Sequence, residues 1–331
     1  MKYDIYGIGN ALVDKEFEVT DSFLEASGIE KGMMSLIDED QQISLLSQLK
    51  QQFGLKKRAG GGSAANSMVA ASQFGAKTFY ACKVANDETG QFYQQDLHDA
   101  GVVTRLDELA LSDQGATGKC MVMVTPDAER TMNTFLGITA DFCEQELHLD
   151  DLKQAEYLYI EGYLVTSDVS RAAAIKARNT AKAHNVKIAM TFSDPAMVTY
   201  FRDNMAEMIG DKIDILFGNK EECMTFTGSD NLDDAISALT KIANKVVITL
   251  GSKGAMVVNG AEKIQIQAHA VEAIDTNGAG DMFAGTFMYG VTQGWDDEKS
   301  ARLANQAAAE VVSVFGARLD SAAHQQLLNN L

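Results

Sequence analysis

The chain has 331 residues and a net charge of −18, which repels polynucleotides and anionic membrane surfaces, so nucleic-acid and membrane partners are set aside first. Its 46% hydrophobic and 22% charged residues are those of a soluble globular protein, long enough for one large domain with a small appendage. Cys82, Cys120, Cys143 and Cys223 lack C-x-x-C spacing, there is no apolar run of membrane length, and no targeting segment precedes the first strand pattern. The expectation is a cytoplasmic protein with reduced thiols.

Residues 3–8 read as a strand ended by Gly9-Asn10, and Asp14 follows near the end where open α/β sheets place ligands. Taken alone, an acid such as Asp14 is most often a solvated turn residue. Residues 16–19 alternate polar and apolar, 21–25 resemble a capped short helix, and 32–37 form another β-like run. A helix is predicted over 39–52. Ala59 to Asn66 is a glycine cluster leading into an Ala-rich helix closed by Gly75. Its glycines permit close backbone approach to a ligand, and Asn66 offers both a donor and an acceptor; a tight loop with a helix cap explains the cluster as well. A strand over 78–84 precedes a helix opened at 86–90, where Asp87 reads as a cap. Residues 118–125 and 130–135, around a turn at Pro126 to Glu129, predict a hairpin. Its Met121, Met123, Met132 and Phe135 read as ordinary packing or as a soft apolar cover for a ligand.

Regular βα units follow. Strands at 155–160, 187–191 and 213–217 alternate with helices at 168–183 and 198–208, and Asn219 with Glu222 forms an N-x-x-E pattern that a helix cap would explain. After a helix over 231–243 come a buried strand, a glycine turn at 251–254 and a second strand over 255–258. No G-x-x-x-x-G-K-[ST] run occurs, which disfavours a P-loop kinase. A small-residue helix over 301–314 contains Asn305 and closes at Gly316. This alternation predicts an α/β fold with a mostly parallel central sheet flanked by helices, and the two β excursions predict a small β lid.

The stretch Asp275-Thr276-Asn277-Gly278-Ala279-Gly280-Asp281 leaves the backbone nearly bare where a helical pattern begins, so first-turn N–H groups can point at an anion. Asp281 is held at a fixed distance from that anion hole. A donor cradle with one carboxylate is what phosphoryl transfer to a hydroxyl needs; a Gly-rich turn with a capping acid is the plainer alternative. None of the five histidines falls in a candidate site, so histidine base catalysis and histidine metal ligation are poor expectations.

Residues 275–281 match the D-T-x-G-A-G-D signature of ribokinase-like (PfkB-type) carbohydrate and nucleoside kinases, and 61–66 resemble their other signature. The resemblance implies one ribokinase-like domain over 1–331, with the lid contributed by about 15–37 and 116–136. It gives Asp281 the role of catalytic base and gives Gly278, Ala279 and Gly280 that of the anion hole. Asp14, Gly62 and Asn66 would grip the acceptor, Phe135 would belong to the lid over it, and Arg130 would reach the transferring phosphate or remain a surface charge. Asn219 and Glu222 would order magnesium through water. Thr249, Gly251 and Gly254 would line the nucleotide's ribose and base, with the adenine between that turn and the helix bearing Asn305. The implied cofactors are ATP and Mg²⁺, with a monovalent cation beside the Asp275–Asp281 loop left open. The Gly9 to Asp14 opening, Lys31 to Met33, the long hairpin and Ser193-Asp194-Pro195 resemble the adenosine kinase branch. The expected reaction is phosphorylation of the 5′ hydroxyl of a ribonucleoside, adenosine first. A sugar kinase of the ribokinase or fructokinase type, or a non-catalytic nucleotide- or sugar-binding regulator, stays open. The expected partner is a small nucleoside or sugar, bound by a monomer or a lid-mediated homodimer.

Overall fold

The computed structural model describes residues 2–108 and 115–330. The chain begins in the large sheet with β1 (Tyr3–Ile8) and passes through Gly9 and Asn10 into β2 (Leu12–Glu18), the first strand of a second sheet. Helix α1 (Asp21–Ala26), β3 (Met34–Leu36), α2 (Glu39–Gln52) and β4 (Lys57–Gly61) follow. Then α3 (Ser63–Phe74) and β5 (Thr78–Ala81) return the chain to the side of β1. After α4 (Glu88–Asp99), the hairpin β6 (Gly118–Val124) and β7 (Arg130–Phe135) completes the small sheet in the order β3-β7-β6-β2-β4.

The rest is the βα alternation read from the sequence: α5 (Leu149–Leu152), β8 (Ala155–Ile160), α6 (Asp168–Ala183), β9 (Lys187–Thr191), α7 (Pro195–Tyr200), α8 (Arg202–Ile209) and β10 (Ile213–Asn219). It continues through α9 (Lys220–Thr227), α10 (Leu232–Ile242), β11 (Ala243–Thr249), β12 (Ala255–Asn259) and β13 (Glu262–Ile266), and ends on α11 (Ala279–Thr292), α12 (Asp297–Val312) and α13 (Ser321–Asn329). The large sheet runs β13-β12-β11-β10-β9-β8-β1-β5, antiparallel through β12 and β13 and parallel elsewhere.

The period-2 alternation of buried strands gives this sheet two apolar faces. Tyr6, Ile8, Leu158, Ile160 and Leu216 pack with the alanines of α6 on one side. Ile5, Tyr159 and Phe217 pack with Met68 of α3 and with Phe283 and Phe287 of α11 on the other. Each fully buried phenylalanine contributes about 1.5–3 kcal/mol. Phe283 and Phe287 therefore pin α11 to the sheet, and with it the helix N-terminus that carries Asp281.

The small sheet differs from the expected lid in three respects. β2 begins at Leu12, so Asp14 is a strand residue and not a turn residue following β1. β4 was not expected: Lys-Arg-Ala-Gly-Gly contains no β-branched or aromatic residue, yet it pairs along β2 as an edge strand. The outer face of the sheet is covered, Phe17, Met121 and Met123 packing against Leu45 and Leu49 of α2. Elsewhere, the helix expected over 198–208 is two helices, with Pro195 opening the first and Phe201 breaking them apart.

Candidate active site

A pocket with about 780 Å³ of empty space, open solvent included, lies between the inner face of the small sheet and the C-terminal ends of the parallel strands. Strand alternation decides which side chains reach it. Asp14 of β2, Cys120 of β6, and Arg130, Met132 and Thr134 of β7 share the inner face and line the cavity. Phe135, expected at the acceptor, falls one residue out of that phase and is not among the lining residues, where Met132 and Thr134 stand instead. The opposite wall is polar: Asn10, Gly62, Ser63, Asn66, Glu161 and Asp281. The sheet wall sets apolar Leu12, Met34, Leu36, Met132 and Leu136 around Asp14, Arg130 and Thr134, and the other wall carries mainly hydrogen-bonding groups.

Asp14 is 6% exposed, and its Oδ1 is buried with no hydrogen-bond partner. Burial, then the negative charge of Glu16, pushes its carboxyl up to about 8. Ala59 is the register partner of Asp14 on β4, and Gly61 lies two residues further along, where a Cβ would collide with the Asp14 carboxyl. Gly62 takes a left-handed φ of 95° against the Asn10 carbonyl, which turns the chain from β4 into α3. An unsatisfied carboxyl in a cavity is costly in the folded protein alone and serves a ligand that brings donors to it.

Asp281 is held from α3: Ser63 Oγ donates to its Oδ1 at 2.6 Å and Asn66 Nδ2 to its Oδ2 at 3.0 Å. Burial raises its pKa, while the Ser63 and Asn66 hydrogen bonds and the charges of Arg130 and Arg318 oppose the rise. Asn66 is therefore engaged with the acid as well as facing the cavity. At the start of α11, Gly278 is the cap residue, with φ 74° and no capping side chain, and a Cβ on it would run into Ala317. At Gly280 an added Cβ would meet nothing within 4 Å. Ala279 N donates to the Thr276 carbonyl at 3.4 Å, and Gly280, whose N–H has no partner one turn earlier in the helix, lines the cavity beside the acid. Asp275 accepts from Asn277 N at 2.8 Å and Gly316 N at 2.9 Å and fixes the loop from behind.

Arg130 lines the same cavity, so of its two sequence readings the surface charge is replaced by the cavity position. Burial alone would lower its pKa, but Tyr163, Asp194, Asp281 and Asp275 raise it. The same guanidinium also opposes the rise at Glu222. Asn219 and Glu222 form a complete capping box on α9: Glu222 N donates to Asn219 Oδ1 at 2.8 Å and Asn219 N donates to Glu222 Oε2 at 2.7 Å. Glu222 is 4% exposed and burial pushes it up to about 7. Among the described residues, no three His, Cys, Asp or Glu side chains gather to hold a metal by themselves. A carboxyl raised by burial, with one oxygen occupied by the cap, fits a divalent cation reached through water and phosphate better than one bound directly.

The other predicted nucleotide residues gather at the edge of β10 and β11. Asn219 and Thr249 are register partners at the ends of those strands. The turn after Thr249 closes by Leu250 N donating to the Gly254 carbonyl at 2.7 Å, with Gly251 exposed. Gly254 abuts the backbone of Ile266, and Asn305 Nδ2 donates to the carbonyls of Ile266 and Gln267, both at 3.3 Å. The segment after β13 thus lies between Gly254 and Asn305, and in this conformation it engages the Asn305 amide. Asp87 caps α4 through Gly90 N, in line with its sequence reading.

Glu161 and Arg318 had no role in the sequence reading. Glu161 is fully buried, accepts from Asn10 N at 3.1 Å and Ala64 N at 2.8 Å, and is pushed up to about 7 by burial. A lone Glu after a strand carries no signal of such a role. Arg318 donates through Nε to Asn66 Oδ1 at 2.8 Å and pairs through Nη1 with Asp96.

A largely parallel α/β sheet, a β cover over its strand ends, and an acid at an open helix N-terminus define a ribokinase-like kinase. The chain matches the pfkB family carbohydrate kinase model over residues 31–324, and it belongs to that family. It is an ATP-dependent kinase; enzymes of this family use ATP and Mg²⁺. Its structure is similar to that of adenosine kinase from Sinorhizobium meliloti, with 34% identity, a TM-score of 0.92 and coverage of 98% of this chain and 99% of the other. It is also similar to a probable sugar kinase protein from Rhizobium etli CFN 42, with 31% identity, a TM-score of 0.91 and 98% of each chain covered. Adenosine kinase from Saccharomyces cerevisiae is 28% identical over 328 residues, covering 93% of this chain and 94% of that protein.

Proposed function

We propose that the protein transfers the γ-phosphate of ATP to the 5′ hydroxyl of a ribonucleoside, adenosine before others. The observation that carries the nucleoside reading is the two-sided cavity. Asp14, with an unpartnered oxygen, faces the space where vicinal ribose hydroxyls would sit, and Leu12, Met34, Leu36, Met132 and Leu136 offer a flat base an apolar wall. A free sugar would leave that wall facing hydroxyls. The likeness to two adenosine kinases supports the same choice, and the likeness to a probable sugar kinase keeps the sugar in the test set.

In this reading Asp14 accepts from the vicinal hydroxyls and Asn66 presents its second N–H to the acceptor. Asp281 orients the primary hydroxyl and takes its proton as the phosphoryl group leaves ATP; with proton transfer late in a loose transition state, no strongly basic group is required. The N–H groups of Gly280 and its neighbours at the start of α11 receive the charge of the moving phosphoryl group, and Arg130 adds a cation from the lid side. Magnesium, when bound with ATP, neutralises charge on the β- and γ-phosphates. Asn219 and Glu222 are positioned for its water shell, and Thr249, Gly251 and Gly254 for the ribose and base. The four cysteines are free thiols, which supports the cytoplasm as the working compartment. Because α2 covers the outer face of the small sheet, we read the protein as a monomer and not as a dimer built through that face.

The deciding experiment measures ATP consumption with Mg²⁺ against adenosine, inosine, guanosine, ribose and fructose. Adenosine is expected to give the highest kcat/KM. A flat response across the set would overturn the substrate reading, and a preference for ribose or fructose would replace it with the sugar-kinase reading.

A further inference from the structure

We propose that Arg318 is a positioning residue for the catalytic carboxylate: its guanidinium locks the Asn66 amide in the one orientation that donates to Asp281. The inference rests on the reading of Asp281 as the base. An amide can present either its oxygen or its nitrogen on a given side, and its neighbours decide which. Asn66 lies between a group that can only donate and a group that, when ionised, can only accept. Arg318 Nε donates to Asn66 Oδ1 at 2.8 Å, and Asn66 Nδ2 donates to Asp281 Oδ2 at 3.0 Å. Turning the amide over would set N–H against N–H on one side and carbonyl against carboxylate on the other. With Arg318 removed, the first of those penalties disappears and the amide is free to turn whenever Asp281 is protonated.

Arg318 is itself fixed. Its side chain is 11% exposed, and its Nη1 pairs with Asp96 of α4, so two edges of one planar fork are committed. The same short segment supports the Asp275–Asp281 loop at its two preceding residues as well: Gly316 N donates to Asp275 Oδ2 at 2.9 Å, and Ala317 fills the space against Gly278. Residues 316–318 thus brace the anion hole and the base together. The fork geometry explains why lysine is not equivalent, since one ammonium cannot address both Asn66 and Asp96 along fixed directions.

The titratable and charged groups acting with Asp281 are Asp14 from β2, Tyr159 from β8, Glu161 and Tyr163 beyond it, Arg130 from β7, and Arg318. Measuring kcat at saturating acceptor removes the part of Asp14 that acts through acceptor binding. The test uses the full chain. Arg318→Met is made together with Asp96→Asn, which avoids leaving the half-buried Asp96 carboxylate without its partner, and Arg318→Ala is made separately to leave room for added guanidinium ion. Expected in the double variant are a normal melting curve, a kcat lower by about tenfold, an unchanged KM for ATP, and an acid limb of kcat moved to higher pH. In Arg318→Ala, guanidinium ion should restore part of kcat. A folded double variant with wild-type kcat and acid limb would overturn the proposal, as would a loss of kcat with an unmoved limb and no recovery by guanidinium. Asp281→Asn is run in parallel: turnover retained there would overturn the base assignment itself, whereas an inactive Asp281→Asn beside a wild-type-like Arg318 variant would overturn only the positioning role.

Discussion

Asp14→Asn should separate what this carboxyl costs the fold from what it does for the substrate. Burial raises the carboxyl from 3.8 to about 8, so between those values the folded protein holds a proton that the unfolded chain has released. Stability therefore falls as pH rises through that window, by about 1.4 kcal/mol per unit, and the penalty is complete above about pH 8, on the order of 5–6 kcal/mol. Asparagine cannot ionise and escapes it. From about pH 5.5 to about pH 8 the stability difference should move in favour of the variant by about 3 kcal/mol. With an unfolding entropy scaled to a chain of this length, that is a relative gain in Tm of about 4 °C. Glu16, Glu161 and Glu222 are also raised, to about 7, but are present in both proteins and largely cancel in the difference. Above about pH 8, where Asp14 is ionised, the same variant should lose about 10²-fold in kcat/KM for the nucleoside with little change in KM for ATP, since one acceptor oxygen of the carboxylate is exchanged for a donor. Thermal unfolding at two pH values, with kinetics on the same preparation, tests both. A Tm difference independent of pH together with an unchanged acceptor KM would refute the placement of Asp14 as a buried, unpartnered group at the acceptor site.

Asp281→Asn should keep ATP and acceptor affinity by calorimetry while turnover falls by about 10²-fold or more, and wild-type turnover would return the residue to a capping role. Gly280→Ala should leave Tm unchanged or slightly higher, because nothing lies within 4 Å of the added methyl group, yet reduce kcat if the anion hole is there. Gly278→Ala should instead lower stability by about 1–3 kcal/mol, from the left-handed φ and the contact with Ala317, as denaturant unfolding would report. Glu222→Gln should raise the magnesium concentration needed for half-maximal rate with little change in Tm, and an unaltered titration would leave only the capping box. Met132→Ala should raise the acceptor KM more than Phe135→Ala does, because only Met132 is on the cavity face of β7. Equal effects would contradict the strand register.

Much of the fold is written locally. The alternation of apolar runs with helical periods over 78–258 dictates a covered parallel sheet, because strands buried on both faces and their crossover helices each leave a pattern in neighbouring residues. The bare Gly278 to Gly280 turn followed by Asp281 is local in the same sense: a helix start, an open donor set and an acid are specified within four residues. The sequence by itself therefore determined the architecture, the bare helix start at Gly278 and the acid in its first turn. Tertiary structure alone decided which residues meet across the chain. β4 has no strand composition and forms because β2 supplies a partner. Phe135 and Met132 have the same apolar character and differ only in strand phase, which a two-residue period sets once the pairing is fixed. Arg318 lies 252 residues from Asn66, and nothing near either residue records that a guanidinium and an amide will share a hydrogen bond. A local pattern reports the conformation of its own backbone. The orientation of the Asp281 carboxylate depends on side chains brought together by burying two faces of one sheet, and that exists only in the folded chain.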